Sequence, residues 1–208
     1  MYAEKILVVG GGIMGRGIAY AAAFGGFQVS LYDISEDVLM QAKEEIDGFF
    51  TAAVKREKLG ETEAEEAQNN IQFSTNLETV AAEAQFVIEA VPEKMDIKRK
   101  VVEQLDKYTN EGVVLATNTS TMSPTEIGSY TSRPEKVIAM HFFNPVPKMK
   151  LVEIIRGLET SDETAEATRS IAEQMKKETV VVNELPGFVT SRMSSLVGNE
   201  AFHMLMEG

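Results

Sequence analysis

The sequence predicts an α/β protein, a doubly wound and mostly parallel sheet covered by helices on both faces. Three observations carry that expectation. Short apolar runs alternate along the chain with longer stretches of helical periodicity, from Lys5–Val9 to Thr179–Val182. A glycine turn joins the first apolar run to an Ala-rich segment, Ile13–Phe24, whose small residues suit a helix packed close to a sheet. A second apolar run, Val29–Tyr32, then ends at Asp33. Strand, glycine turn, helix and strand make a βαβ unit with a right-handed crossover.

The remaining elements follow in order. Ser35 is placed to cap a helix running to about Lys58, with Glu36 and Asp37 in the first turn, where the helix dipole favours acid. Gly60 ends it. Thr62–Gln68 is an acidic helical piece in which Thr62 and Glu65 form a capping box. Residues 36–69 thus read as an antiparallel helical hairpin inserted between strands. Ile71–Ser74 and Phe86–Val91 are strands, Lys94–Tyr108 a helix and Val113–Thr117 the next strand. Val137–Phe142 and Leu151–Arg156 are separated by a short return, which predicts an antiparallel pair at one edge. Asp162–Lys177 is a helix capped by Ser161 or Asp162, and Thr179–Val182 is a last strand. Pro186-Gly187 marks a boundary, so residues 1–185 form one domain and 186–208 a linker and a helix. That helix has a wide apolar stripe (Val189, Met193, Leu196, Val197, Met204, Leu205). It packs on a second copy, or on a further domain.

Composition excludes several function classes. The formal net charge of −12 argues against binding nucleic acid or anionic membranes. The absence of cysteine removes disulfides, thiolate catalysis and cysteine-based metal sites, and two histidines far apart make a histidine metal site unexpected. No apolar run approaches the roughly 20 residues of a membrane span. A soluble, cytoplasmic protein without a metal is expected.

Gly10-Gly11-Gly12-Ile13-Met14-Gly15 fits G-x-G-x-x-G and lies between a strand and a helix, as a Rossmann-type dinucleotide site requires. Gly10 allows the turn, Gly12 admits the pyrophosphate, and Gly15 lets the helix approach the strand. The helix N-terminus at Ile13 and Met14 faces the phosphates. Asp33 would accept from a ribose hydroxyl and repel a 2′-phosphate, which favours NAD over NADP. The competing reading is a glycine-rich turn in an unrelated α/β protein. Ala90 and Glu93, in Glu89-Ala90-Val91-Pro92-Glu93, close the fourth strand where ligand crevices form, with Lys98 in the next helix. An ordinary ion pair at a helix start is the equal alternative. Asn118 and Ser120, in Asn118-Thr119-Ser120-Thr121, are placed to orient a nicotinamide and a substrate oxygen, or simply to cap a helix.

His141 ends an apolar run and Glu153 sits in the returning one, past Phe142, Phe143, Asn144 and two prolines. A hairpin would bring the carboxylate beside the imidazole, fix its tautomer and support its protonated form, as a general base needs. The alternative is a core histidine and a glutamate facing solvent on an edge strand. His203 has no polar partner in sequence and reads as structural or exposed. Lys55, Arg56 and Lys58 read as a solvated helix end or as a contact for a nucleotide-like tail.

Together these residues resemble the L-3-hydroxyacyl-CoA dehydrogenase family, particularly its 3-hydroxybutyryl-CoA branch. The carriers are Gly10–Gly15, Glu89–Glu93, Asn118-Thr119-Ser120, His141-Phe142-Phe143-Asn144-Pro145 and Pro186-Gly187-Phe188. The resemblance implies a fatty-acid-metabolism oxidoreductase that uses NAD and an acyl-CoA. His141 would be the base, Glu153 its orienting partner, and Ser120 the hydroxyl on the substrate oxygen, with Asn144 near the substrate. Asp33 would bind the ribose, and Glu93, Lys98 and Asn118 would line the nicotinamide half. Lys55 and Arg56 would meet the CoA tail. The family's usual Asn after Pro-Gly-Phe is replaced by Ser191, which offers a shorter hydroxyl to the substrate. Family members continue into an all-helical domain that pairs two subunits. Residues 186–208 would be a linker and the first helix of that domain, truncated here, and the full-length form a homodimer. Two other readings stand: a hydroxy-acid or sugar-acid dehydrogenase without CoA, since Gly12-Ile13-Met14-Gly15 also occurs there, and a non-catalytic NAD-binding protein.

Overall fold

The computed structural model describes residues 3–208. Eight strands form one sheet in the order β3-β2-β1-β4-β5-β6-β7-β8. They are β1 (Lys5–Val9), β2 (Gln28–Tyr32), β3 (Ile71–Ser74), β4 (Phe86–Glu89), β5 (Val114–Thr117), β6 (Val137–Phe142), β7 (Leu151–Arg156) and β8 (Glu178–Asn183). Every pairing is parallel except β6 with β7. The strand order reverses direction between β1 and β4, and a crevice opens at such a switch point, outside the carboxyl ends of the strands.

The helices are α1 (Ile13–Phe24), α2 (Glu36–Lys55), α3 (Glu61–Asn69), α4 (Leu77–Glu83), α5 (Met95–Tyr108), α6 (Pro124–Gly128), α7 (Asp162–Gln174) and α8 (Thr190–Glu207). One core lies between the sheet and α1, α2, α3 and α7, and includes Ile18, Ala22, Ile46, Phe50 and Ala172. The other lies under α4 and α5 and includes Leu77, Ala81, Val102 and Leu105. Both faces of the central strands are therefore dry, which is why β1 and β4 read as unbroken apolar runs. The hairpin α2–α3 packs on α1 through Tyr20, whose ring centroid lies 4.7 Å from that of Phe50.

Four expectations need correction. The hairpin's second helix starts at Glu61, one residue before Thr62, so Thr62 cannot cap it. Gly60 is the cap, and its amide donates to Glu63 Oε2 at 2.9 Å. Helix α2 stops at Lys55, short of Lys58, because Glu57 turns into the left-handed region at φ 56°. Helices α4 and α6, at seven and five residues, are too short for a periodic signal, and the pattern gives neither a range. The antiparallel pair exists, yet β7 is not the edge: β8 pairs with it along six positions. Glu153 consequently lies between two strands with none of its surface exposed, and the solvent-facing alternative falls.

Candidate active site

The turn after β1 needs glycine for steric reasons. Gly10 has φ 106°, and a Cβ there would sit 2.7 Å from the Ala90 carbonyl oxygen. A Cβ on Gly15 would lie 1.7 Å from the Gly10 carbonyl oxygen, so α1 could not approach β1 as it does. A Cβ on Gly12 would meet nothing within 4 Å and would project into the open space in front of α1. No side chain caps that helix, so its first-turn amides are left for a ligand. Asp33 ends β2 beside the turn. Its Oδ2 accepts from Gly11 N at 2.8 Å and its Oδ1 from Ser35 N at 3.0 Å. These features fit the pyrophosphate and adenosine ribose of a dinucleotide.

A crevice of about 820 Å³ runs from this turn across the ends of β4, β5 and β6, within the usual range for a cofactor site. Gly10, Gly12, Ile13, Met14 and Asp33 line one half, and Ala90, Glu93, Asn118, Ser120, His141 and Asn144 the other. Ile34, Ile97 and Val101 add an apolar wall, suited to a flat ring. The structure brings these sequence-predicted residues together in one place.

His141 is the penultimate residue of β6, and Glu153 faces it across the antiparallel ladder. Nδ1 of His141 lies 2.8 Å from Glu153 Oε2, both side chains buried. A buried carboxylate accepts, so Nδ1 carries the hydrogen, a tautomer assigned from this network, and Nε2 keeps its lone pair. The rings of Phe143 and Phe188 stand 4.5 and 6.0 Å from the imidazole and dry its surroundings.

A second network supports the crevice floor. Lys98 is 1% exposed and does not line the crevice, contrary to its expected place beside the nicotinamide. Its ammonium instead bridges Glu89 at 2.9 Å and Glu93 at 3.2 Å. The hydroxyl of Thr117 also donates to Glu89, at 2.7 Å. Glu93 accepts from the hydroxyl of Thr119 and from Ser120 N at 2.9 Å. Burial alone would raise the Glu93 carboxyl. The Thr119 hydrogen bond, the Lys98 charge and the Ser120 amide outweigh it and hold the group below the usual carboxylate range. Asn118 Oδ1 accepts from Phe142 N at 2.9 Å, tying the end of β5 to the end of β6.

Four other expected residues lie elsewhere. Gly15 is behind the turn and acts through packing. Lys55 and Arg56 are at the far end of α2, roughly 30 Å along a 20-residue helix from Ser35. Ser191 is in the first turn of α8 and does not line the crevice, its carbonyl accepting from Ser195 Oγ at 2.8 Å. Its neighbour Thr190, which sequence reasoning passed over, donates from N to Glu153 Oε1 at 3.0 Å and from Oγ1 to Oε2 at 3.1 Å. No spacing rule marks such a residue, because the contact joins positions 37 apart. His203 is exposed on α8. Among the described residues no group of three or more His, Asp or Glu could hold a metal ion.

Fold and crevice together define a dinucleotide-binding domain with a buried acid–imidazole pair at its mouth. Residues 5–185 match the model of a family described as 3-hydroxyacyl-CoA dehydrogenase, NAD binding domain. The chain belongs to the 3-hydroxyacyl-CoA dehydrogenase family, and NAD is the cofactor of this domain. It is 42% identical over 208 residues to a probable 3-hydroxybutyryl-CoA dehydrogenase of Bacillus subtilis, covering 100% of this chain and 72% of the relative. A 3-hydroxybutyryl-CoA dehydrogenase of Bradyrhizobium diazoefficiens is 37% identical, over 99% of this chain and 70% of the relative. Among solved structures, (S)-3-hydroxybutyryl-CoA dehydrogenase from Ralstonia eutropha superposes with a TM-score of 0.96 at 40% identity, covering 100% of this chain and 73% of that one.

Proposed function

We propose that this protein is an NAD-dependent oxidoreductase that interconverts an L-3-hydroxyacyl-CoA, of short chain such as 3-hydroxybutyryl-CoA, and the 3-oxoacyl-CoA. The observation that carries the reading is the buried 2.8 Å contact between His141 Nδ1 and Glu153 at the mouth of the glycine-turn crevice. Bound NAD supplies the hydride acceptor. Nε2 of His141 removes the C3 hydroxyl proton as hydride leaves C3, and in reverse the imidazolium returns it. Glu153 offsets the imidazolium charge and keeps the ring turned. Ser120 holds the substrate oxygen, with Asn144 beside it. Asp33 takes the ribose hydroxyls, the amides at Gly12, Ile13 and Met14 the pyrophosphate, and Ala90, Glu93 and Asn118 the nicotinamide half. Lys98 serves the same half indirectly, through Glu93. Lys55 and Arg56, basic in a chain of net charge −12, are assigned to the phosphates of the CoA tail, and Ser191 to the substrate side of α8.

Residues 1–185 are proposed to act as the cofactor domain and 186–208 as a linker and a first helix of a helical domain that pairs two copies. The exposed side chains of Met193, Leu196 and Val197 support that part of the reading. We place the protein in the cytoplasm, with no nucleic-acid or membrane partner. Its acidity supports this, and among the described residues no helix is long and apolar enough to cross a membrane.

The test is oxidation of NADH by the purified chain with acetoacetyl-CoA, beside acetoacetate without the CoA. Turnover with the thioester, reduced by about 10²–10⁴ in His141→Ala with NAD binding intact, is the expected result. Equal turnover of the free acid would favour a dehydrogenase that ignores CoA, and NAD binding without turnover a non-catalytic protein.

A further inference from the structure

Glu153 has no exposed surface, so its charge depends on protein donors. It receives three. One is the ring N–H of His141 on Oε2, at 2.8 Å. The other two come from a single residue on a different element: Thr190 N on Oε1 at 3.0 Å and Thr190 Oγ1 on Oε2 at 3.1 Å. Thr190 is the first residue of α8, where backbone amides lack helical partners and the dipole favours a carboxylate. In register, Glu153 faces His141 on β6 and Val180 on β8, so the imidazole is its titratable partner across the ladder.

We propose that Thr190 is a positioning residue for the His141–Glu153 pair, its hydroxyl setting how strongly and at what angle the carboxylate holds the imidazole. The assignment rests on the reading of His141 as the base. Thr190 does not line the crevice, and its side-chain hydrogen bond goes to Glu153, through which it acts. The hydroxyl and the imidazole share one oxygen. A donor on that oxygen draws charge from it and weakens the bond to His141, while fixing the plane of the carboxylate. Removing the hydroxyl alone leaves Oε2 to the imidazole, strengthens that bond and frees the carboxylate to rotate about the remaining amide contact.

Thr190→Val removes the hydroxyl at nearly constant volume and keeps the backbone donor, and Thr190→Ser keeps both. For turnover, Thr190→Val is expected to lower kcat on the order of fivefold, the weight of one hydrogen bond, with KM for NAD unchanged and the pH–rate profile displaced. Thr190→Ser is expected to restore both. A second readout does not need turnover. The chain has two histidines, so their ring signals are separable by NMR, the carbon-bound ring protons of exposed His203 serving as an internal reference. The His141 Nδ1–H signal should move downfield in Thr190→Val, remain in place in Thr190→Ser, and leave His203 unaffected. An unmoved His141 signal in Thr190→Val overturns the proposal whether or not the protein is active. A wild-type chain inert towards 3-oxoacyl-CoA overturns the functional reading instead.

Discussion

Lys98 shows how a residue can support a crevice without lining it. Its ammonium lies beneath the crevice, held by Glu89 and Glu93, and Glu93 in turn fixes the Ser120 amide. The order of charges along the chain, Glu89, Glu93, Lys98, is visible in the sequence, but its depth is not. Spacing fits a surface ion pair and a buried one equally well, and only the packing of α5 over β4 and β5 distinguishes them. Replacing Lys98 by Met removes one charge and leaves the buried Glu89 without its counter-ion. Breaking a buried pair from one side costs about 3–5 kcal/mol, so Lys98→Met should lower the urea midpoint steeply. The surface pair Arg99–Glu103 is the control: Arg99→Met should leave the urea midpoint almost where it is. Equal effects would place Lys98 in an ordinary ion pair.

The antiparallel pair β6–β7 makes the site, and the turn between its strands must be held. Val146, in that turn, packs on α1 at Gly17, where an added Cβ would come within 2.9 Å of the Val146 Cβ. Lys177, just after α7, donates to the carbonyl oxygens of Val146 at 2.6 Å and Met149 at 2.8 Å. The dinucleotide helix and the turn carrying Asn144 are therefore in direct contact. Gly17→Ala should displace the turn by a few tenths of an ångström and cost about 1–3 kcal/mol, as overpacking does. Its expected signature is a raised KM for the acyl-CoA with NAD affinity changed little. The reverse pattern would show that the strain passes into α1 instead. The hairpin was legible because its apolar runs are strong and its return short. The contact with α1 was not, because it joins residues more than a hundred positions apart through a glycine that has no side chain to signal it.

Over the whole molecule, charge and burial set the response to pH. Burial pushes the Lys177 ammonium down to about 8, from 10.5. Below pH 8 folded and unfolded chains both hold this proton, and the cost of burying the charge is present in full. As pH rises from 8 towards 10.5 the folded chain releases the proton first, so this group's contribution to stability rises over that window. Lys177→Met should lack that rise, visible as a smaller gain in urea midpoint between pH 8 and pH 10 than the wild type shows. Tyr20 and Tyr32, whose hydroxyls burial pushes up, are common to both proteins and drop out of the comparison. The sequence by itself determined the alternation of strands and helices, the glycine turn with Asp33, and the hairpin that returns Glu153 towards His141. Each of these is local, written in periodicity, in backbone sterics, or in a short return between two strands. Tertiary structure alone decided the depth of Lys98, the flanking of Glu153 by β8, and the two hydrogen bonds from Thr190. All three depend on which distant segments meet, and neither spacing nor residue type along the chain encodes the desolvation and packing that result.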